Sequence, residues 1–195
     1  MGNHDFDNGL EGFKKHLPLA SFPFICSNYG FENTCLNQST IPYKIFQKGD
    51  IKIGVIGMGI QMEGLISKKN YGNTIYHDPI QTANELAKML KAQSCDFIVC
   101  LSHLGFEYSD EGENRKISDK ILAQKTRHID YIIGGHTHTF MDKAVTLSNL
   151  DGKAVIISQS GWGGIMLGRL DLVFSKDKAE GYAFIYTTKK VVSQV

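Results

Sequence analysis

Two short runs constrain this chain's architecture more than any other feature. Asp96 to Leu101 (DFIVCL) and Ile129 to Ile133 (IDYII) are almost continuously apolar, the pattern of strands buried on both faces of a sheet. A polar turn bearing histidine follows each one. Ser102-His103-Leu104-Gly105 follows the first, and Gly134-Gly135-His136-Thr137-His138 follows the second. Ligands of open α/β sheets gather at the carboxyl ends of strands, so these two turns are placed to face one crevice.

The flanking sequence supports an α/β class, with β-rich runs alternating with amphipathic helical patterns. Phe22 to Ser27 reads as a strand. Tyr43 to Gln47 and Ile51 to Ile56 read as a hairpin about Lys48-Gly49-Asp50. Asp78-Pro79 supplies an N-cap and first-turn proline for a helix through about Ala92, with Ala83, Leu86, Ala87 and Leu90 on one face. Ile117 to Gln124 predicts a short helix. From Ala144 the pattern turns to strands: Ala144 to Leu147, Ala154 to Ser158, Leu167 to Phe174 and Tyr182 to Thr187, with turns at Asp151-Gly152 and around Lys176-Asp177.

The 195 residues suffice for one domain, and no repeat or linker divides them, so residues 1–195 are read as a single unit. With 21 basic against 20 acidic residues, there is no charge excess to draw the chain to nucleic acid or an anionic membrane. No apolar run approaches the length of a membrane span. Cys26, Cys35, Cys95 and Cys100 lack a disulfide or zinc-finger pattern, and Cys95 and Cys100 are expected to be buried thiols.

Chemistry concentrates in three clusters: the two histidine turns and Gly2-Asn3-His4-Asp5-Phe6-Asp7 near the start. Imidazole, carboxylate and amide oxygen together suit divalent Zn, Mn, Fe or Co. In an extended segment, His136 and His138 project to the same side and reach one metal cluster. Gly134 and Gly135 let the backbone turn sharply and approach a metal or phosphate closely. His16, His77 and His128 lie in polar or helix-flanking contexts and are expected at the surface. Trp162, between glycines, fits either the site mouth or a core anchor.

The ordered strings GNHDFD, SHLG and GGHTHT resemble the last three motifs of calcineurin-like metallophosphoesterases. Gly2 to Gly9 (GNHDFDNG), Phe22 to Asn28 and Gln159 to Gly163 are similar to the 5′-nucleotidase branch of that family. The resemblance implies a layered αββα sandwich and two-metal hydrolysis of phosphate esters, most specifically of 5′-nucleotide type. It implies that Asn3, His103 and His136 ligate one metal and that His138 belongs to the second. His4 and Asp7 would form a dyad that meets the phosphate and assists the leaving oxygen. A carboxylate beside an imidazole favours the charged ring, which suits a developing oxyanion. Asp5 would stand behind the ligands. The implied partner is a small phosphorylated molecule, a nucleotide among the candidates, and the implied setting of a whole protein is the periplasm or cell envelope.

The family's two earlier motifs, Asp-x-His and Gly-Asp-x-x-Asp, find no counterpart among these residues, nor does its C-terminal nucleoside-binding domain. The expectation is therefore that Met1 is internal to a longer parent. The segment would be the last two-thirds of the catalytic domain, missing its first strands and helices and inactive alone. A metal- or nucleotide-binding domain without catalysis is the alternative. Gly54-Val-Ile-Gly57-Met-Gly59 does not make a dinucleotide site, because its spacing is wrong and no helix start follows.

Overall fold

The computed structural model describes residues 1–109, 116–175 and 181–191; the turn expected around Lys176-Asp177 lies outside them. In chain order the elements are a 3₁₀ turn at Asn3–Phe6, α1 (Gly9–His16), β1 (Tyr29–Gly30), β2 (Tyr43–Lys48), β3 (Ile51–Met58), α2 (Lys68–Tyr71), β4 (Ile75–Tyr76), α3 (Pro79–Ala92), β5 (Phe97–Ser102), α4 (Asp119–Lys125), β6 (Tyr131–Ile133), β7 (Val145–Ser148), β8 (Ala154–Ser158), β9 (Met166–Phe174) and β10 (Tyr182–Lys190).

Six strands form the central sheet in the order β2-β3-β5-β6-β8-β7. The inner four, β3, β5, β6 and β8, run parallel, and the edge strands β2 and β7 are antiparallel to their neighbours. The two apolar runs of the sequence are the adjacent strands β5 and β6. Their register aligns Cys100 with Ile132, and Ile132 with Ile157 of β8. This row is wholly buried.

One face of the sheet is covered by helices. Ala83, Ala87 and Leu90 of α3 and Leu122 and Ala123 of α4 close over Ile56, Ile98, Cys100, Ile132 and Ile157. The Asp78 carboxylate accepts the Gln81 amide N–H at 2.7 Å, and Pro79 takes the first turn, as the sequence predicts. The other face carries the β9–β10 ribbon, whose Leu170, Leu172, Phe174 and Tyr182 pack on Phe97, Tyr131 and Ile156. A helix layer, a sheet and a second β layer result, in a mixed α/β sandwich. Each fully buried aliphatic side chain contributes roughly 1.5–3 kcal/mol to holding these layers together.

Two expectations change, and one feature is new. Phe22–Ser27 is not a strand: it is extended, but joins the rest through one bridge, Ile25 with Ile41. Its hydrogen bonds are shared between two partners, Cys26 N–H to Ile41 and Ser27 N–H to Gly57, so no ladder propagates along either. The helix α1 and the β1–β4 pair carry an aromatic cluster of Phe6, Phe13, Tyr29 and Phe31 that periodicity did not reveal. His128 is half-buried rather than exposed, and burial lowers its pKa. Cys95 and Cys100 are buried thiols, as expected.

Candidate metal centre

The four parallel strands end along one side of the sheet, and the candidate residues gather there. The opening cluster owes its geometry to the 3₁₀ turn, whose period of three places residues i and i+3 on one side. Asn3 and Phe6 therefore share the buried side. Phe6 is fully buried and meets the Tyr29 ring edge-on at 5.7 Å, which anchors the turn. His4 and Asp7 share the outer side, with side chains 77% and 65% exposed, and the His4 Nδ1 lies 2.9 Å from Asp7 Oδ2. Asp5 holds the turn rather than facing the site, since its carboxylate accepts the Gly2 N–H at 2.8 Å.

Asn3 Oδ1 is the meeting point. His103 Nε2 lies 3.0 Å from it and His136 Nδ1 3.1 Å, across sequence separations of 100 and 133 residues. The His103 and His136 rings stand edge to face with centroids 5.2 Å apart. Burial first, then the neighbouring His136, pushes the His103 pKa down to about 4. Burial also lowers that of His136, helped by His138, Lys116 and His4. Both rings are thus biased toward the neutral form that a metal requires.

The glycines serve close approach rather than a sharp turn. A Cβ on Gly135 would sit 3.0 Å from His103 Nδ1, and one on Gly2 would sit 2.7 Å from the same ring. The left-handed backbone falls instead on the histidines, with φ of +73° at His136 and +53° at His138. That conformation costs about 1 kcal/mol or more for a residue with a Cβ. The segment is therefore not extended, and the same-side argument for His136 and His138 does not describe it. His138 stacks on Trp162, centroids 5.9 Å apart at 23°, and stands outside the Asn3-centred group. Trp162 is 56% exposed and is no core anchor.

The sequence reading missed the polar supports behind the turns. Gln159, at the end of β8, donates from Nε2 to the Gly135 carbonyl at 2.9 Å and accepts the Thr139 N–H at 2.5 Å. Ser102 Oγ donates to Asp119 Oδ1 at 2.5 Å and accepts the Leu104 N–H. The only hint in the sequence is a polar residue where β5 and β8 end, Ser102 in the last position of β5 and Gln159 one place beyond β8. A cavity of about 610 Å³, within the range of small-molecule sites, opens beside His136 and is lined also by Leu104, Lys116, Ile117 and Tyr76.

The donor chemistry fits one divalent ion. Two atoms on one ion, with bonds of about 2.1 Å and the near-90° angle of an octahedral shell, stand about 3 Å apart, the spacing of Asn3 Oδ1 from each imidazole nitrogen. All three donors are uncharged. Among the described residues, no group of three or more His, Cys, Asp or Glu side chains is placed to hold a metal, so a carboxylate-rich cage is not formed by them.

Comparison with known proteins adds an independent line. The calcineurin-like phosphoesterase profile matches residues 1–140. The chain is 30% identical to human 5′-nucleotidase over 193 residues, covering 90% of this chain and 32% of that protein. It is also 30% identical to the trifunctional nucleotide phosphoesterase protein YfkN of Bacillus subtilis, covering 93% of this chain and 13% of that one. The chain thus spans a third or less of the length of these curated relatives. Among solved structures, a 5′-nucleotidase precursor from Thermus thermophilus superposes with a TM-score of 0.83 at 27% identity, over 97% of this chain and 38% of that one.

Proposed function

The chain belongs to the calcineurin-like phosphoesterase family, and from that premise we propose that it carries most of the catalytic residues of a two-metal 5′-nucleotidase-type phosphomonoesterase. The observation that carries the reading is the convergence of His103 and His136 on Asn3, with the His4–Asp7 pair one step along the same turn. Relatives described as 5′-nucleotidases support a nucleotide as substrate, and the cavity beside His136 has room for a leaving group of that size.

Asn3, His103 and His136 would hold one divalent ion, and His138 would contribute to the second. A bound metal pair supplies Lewis acidity at the phosphoryl oxygens and a more acidic water for in-line displacement. The chain's own work is positioning and proton management. Asp7 accepts from the His4 ring and fixes its direction, so His4 presents its other ring nitrogen to solvent and to an arriving phosphate. From there it would donate a hydrogen bond to the departing ester oxygen, for which a positioned imidazole typically contributes about 10²–10⁴-fold.

An uncharged donor trio facing two dications binds them weakly without a carboxylate. These 195 residues alone are therefore proposed to show little turnover. We place the complete protein outside the cytoplasm, since the Thermus thermophilus relative is a precursor.

The test is hydrolysis of p-nitrophenyl phosphate and of nucleoside monophosphates with added Mn²⁺ or Zn²⁺, using the longest natural chain containing these residues. His4→Ala should lower kcat about 10²–10⁴-fold with metal affinity retained. Metal binding without turnover on any phosphomonoester would sink the proposal in favour of a binding module of the same fold.

A further inference from the structure

Behind the two histidine turns lies a carboxylate that the proposed reaction does not use. Asp119 opens α4 and is fully buried. Its Oδ1 accepts the Ser102 hydroxyl at 2.5 Å, and its backbone N–H donates to the Gly105 carbonyl at 2.7 Å. Ser102 Oγ accepts in turn from the Leu104 N–H at 3.1 Å. Four consecutive residues, Ser102 to Gly105, are thus tied to one aspartate, and His103 is inside that loop. The other oxygen, Oδ2, is buried with no hydrogen-bond partner among the described residues. It occupies the space where a side chain at position 134 would lie, since a Cβ on Gly134 would stand 2.3 Å from it. Gly134 begins the turn that carries His136.

A buried carboxylate oxygen without a partner costs free energy, on the order of 1–3 kcal/mol. Apolar side chains fill the neighbouring core, so a leucine or methionine of similar size would avoid that cost. The Gly105 bond comes from the backbone and would survive such a change; what an apolar side chain cannot do is accept the Ser102 hydroxyl while filling the gap left by Gly134. We propose that Asp119 is a positioning residue for the metal centre, its carboxylate fixing the His103 turn through the Ser102 hydroxyl and setting the His136 turn by contact at Gly134. This rests on the metal-centre reading above and assigns Asp119 no contact with substrate. Burial pushes its carboxyl up to about 7, in keeping with a group held by geometry rather than by an opposing charge.

The test reads the histidines directly, in metal-free protein. Imidazole NMR signals of His103 and His136 should move in Asp119→Ala, while those of His16 and His77 stay in place. Asp119→Asn keeps an oxygen acceptor for Ser102 and the same volume, and should return both signals to their wild-type positions. Co²⁺ affinity, followed by visible absorption, should fall about 10–100-fold in Asp119→Ala, the usual effect of removing a group behind a ligand, and recover in Asp119→Asn. Unmoved His103 and His136 signals in a folded Asp119→Ala protein would overturn the proposal, as would equal movement at His16 and His77. Should Asp119→Ala not fold, Ser102→Ala removes one hydroxyl only and should still displace the His103 signal; no displacement overturns the proposal equally. These readings need no substrate, so a failed phosphatase assay would count against the hydrolase reading without touching this one.

Discussion

At the residue scale, the opening cluster divides its labour by the period of a 3₁₀ turn. Asn3 and His4 are neighbours in sequence, yet one is buried against two imidazoles and the other is exposed beside Asp7. Asp119 offers a sharper quantity. The unfolded chain ionises this carboxyl near pH 3.9, the folded chain at about 7. Between those values the folded state holds the extra proton, so stability falls as pH rises and the loss is complete above about 7. The full term is on the order of 4 kcal/mol at about 1.4 kcal/mol per pH unit. Urea unfolding at pH 5 and pH 8 should show the wild type losing about 2–3 kcal/mol more than Asp119→Asn over that interval. Equal losses would mean that Asp119 does not titrate there. None of this was legible in the sequence. An aspartate one place after a capping serine reads as a helix-dipole residue, and only the fold reveals that Ser102 lies across from it.

At the element scale, legibility followed the source of each element's order. Strands β5, β6 and β8 and helix α3 were readable because local pattern and tertiary burial agree: continuous apolar runs for strands covered on both faces, a cap and a four-residue rhythm for the helix. Asp78 shows how local that order is. Asp78→Ala should cost about 1 kcal/mol and lower Tm by about 2–4 °C; thermal unfolding with no shift would mean the helix start is held by packing alone. Phe22–Ser27 misled because its β-forming composition is satisfied by aromatic packing, with Phe24 against Phe13 at 5.0 Å, not by a ladder. The histidine turn misled differently. Two adjacent glycines invite a left-handed turn, but contact with Asp119 and His103 is what keeps positions 134 and 135 small, and the positive φ passes to His136 and His138.

At the scale of the whole molecule, the second β layer is the least protected part. The inward row of β9–β10 fills the core, while the outward row shows Leu167, Val173 and Ile185, each more than half exposed. The ribbon pairs only with itself among the described strands, so each strand leaves an outer edge open to another chain. The outward row is broken by one ion pair, Arg169 with Asp171 at 2.8 Å, and Asp171 stands opposite Ile185 in the register. A lysine at 185 would therefore gain a cross-strand carboxylate, and one at 173 would place a charge beside the open edge. The exposed row is expected to drive concentration-dependent self-association in sedimentation velocity, and Val173→Lys combined with Ile185→Lys should suppress it. Because neither side chain contributes to the core, unfolding free energy should change by no more than about 0.5 kcal/mol per site. If self-association persists undiminished in the double variant, the apolar row is not its cause, and the unpaired backbone of β9 and β10 becomes the surface to block, by a proline at an outward edge position that removes one N–H donor.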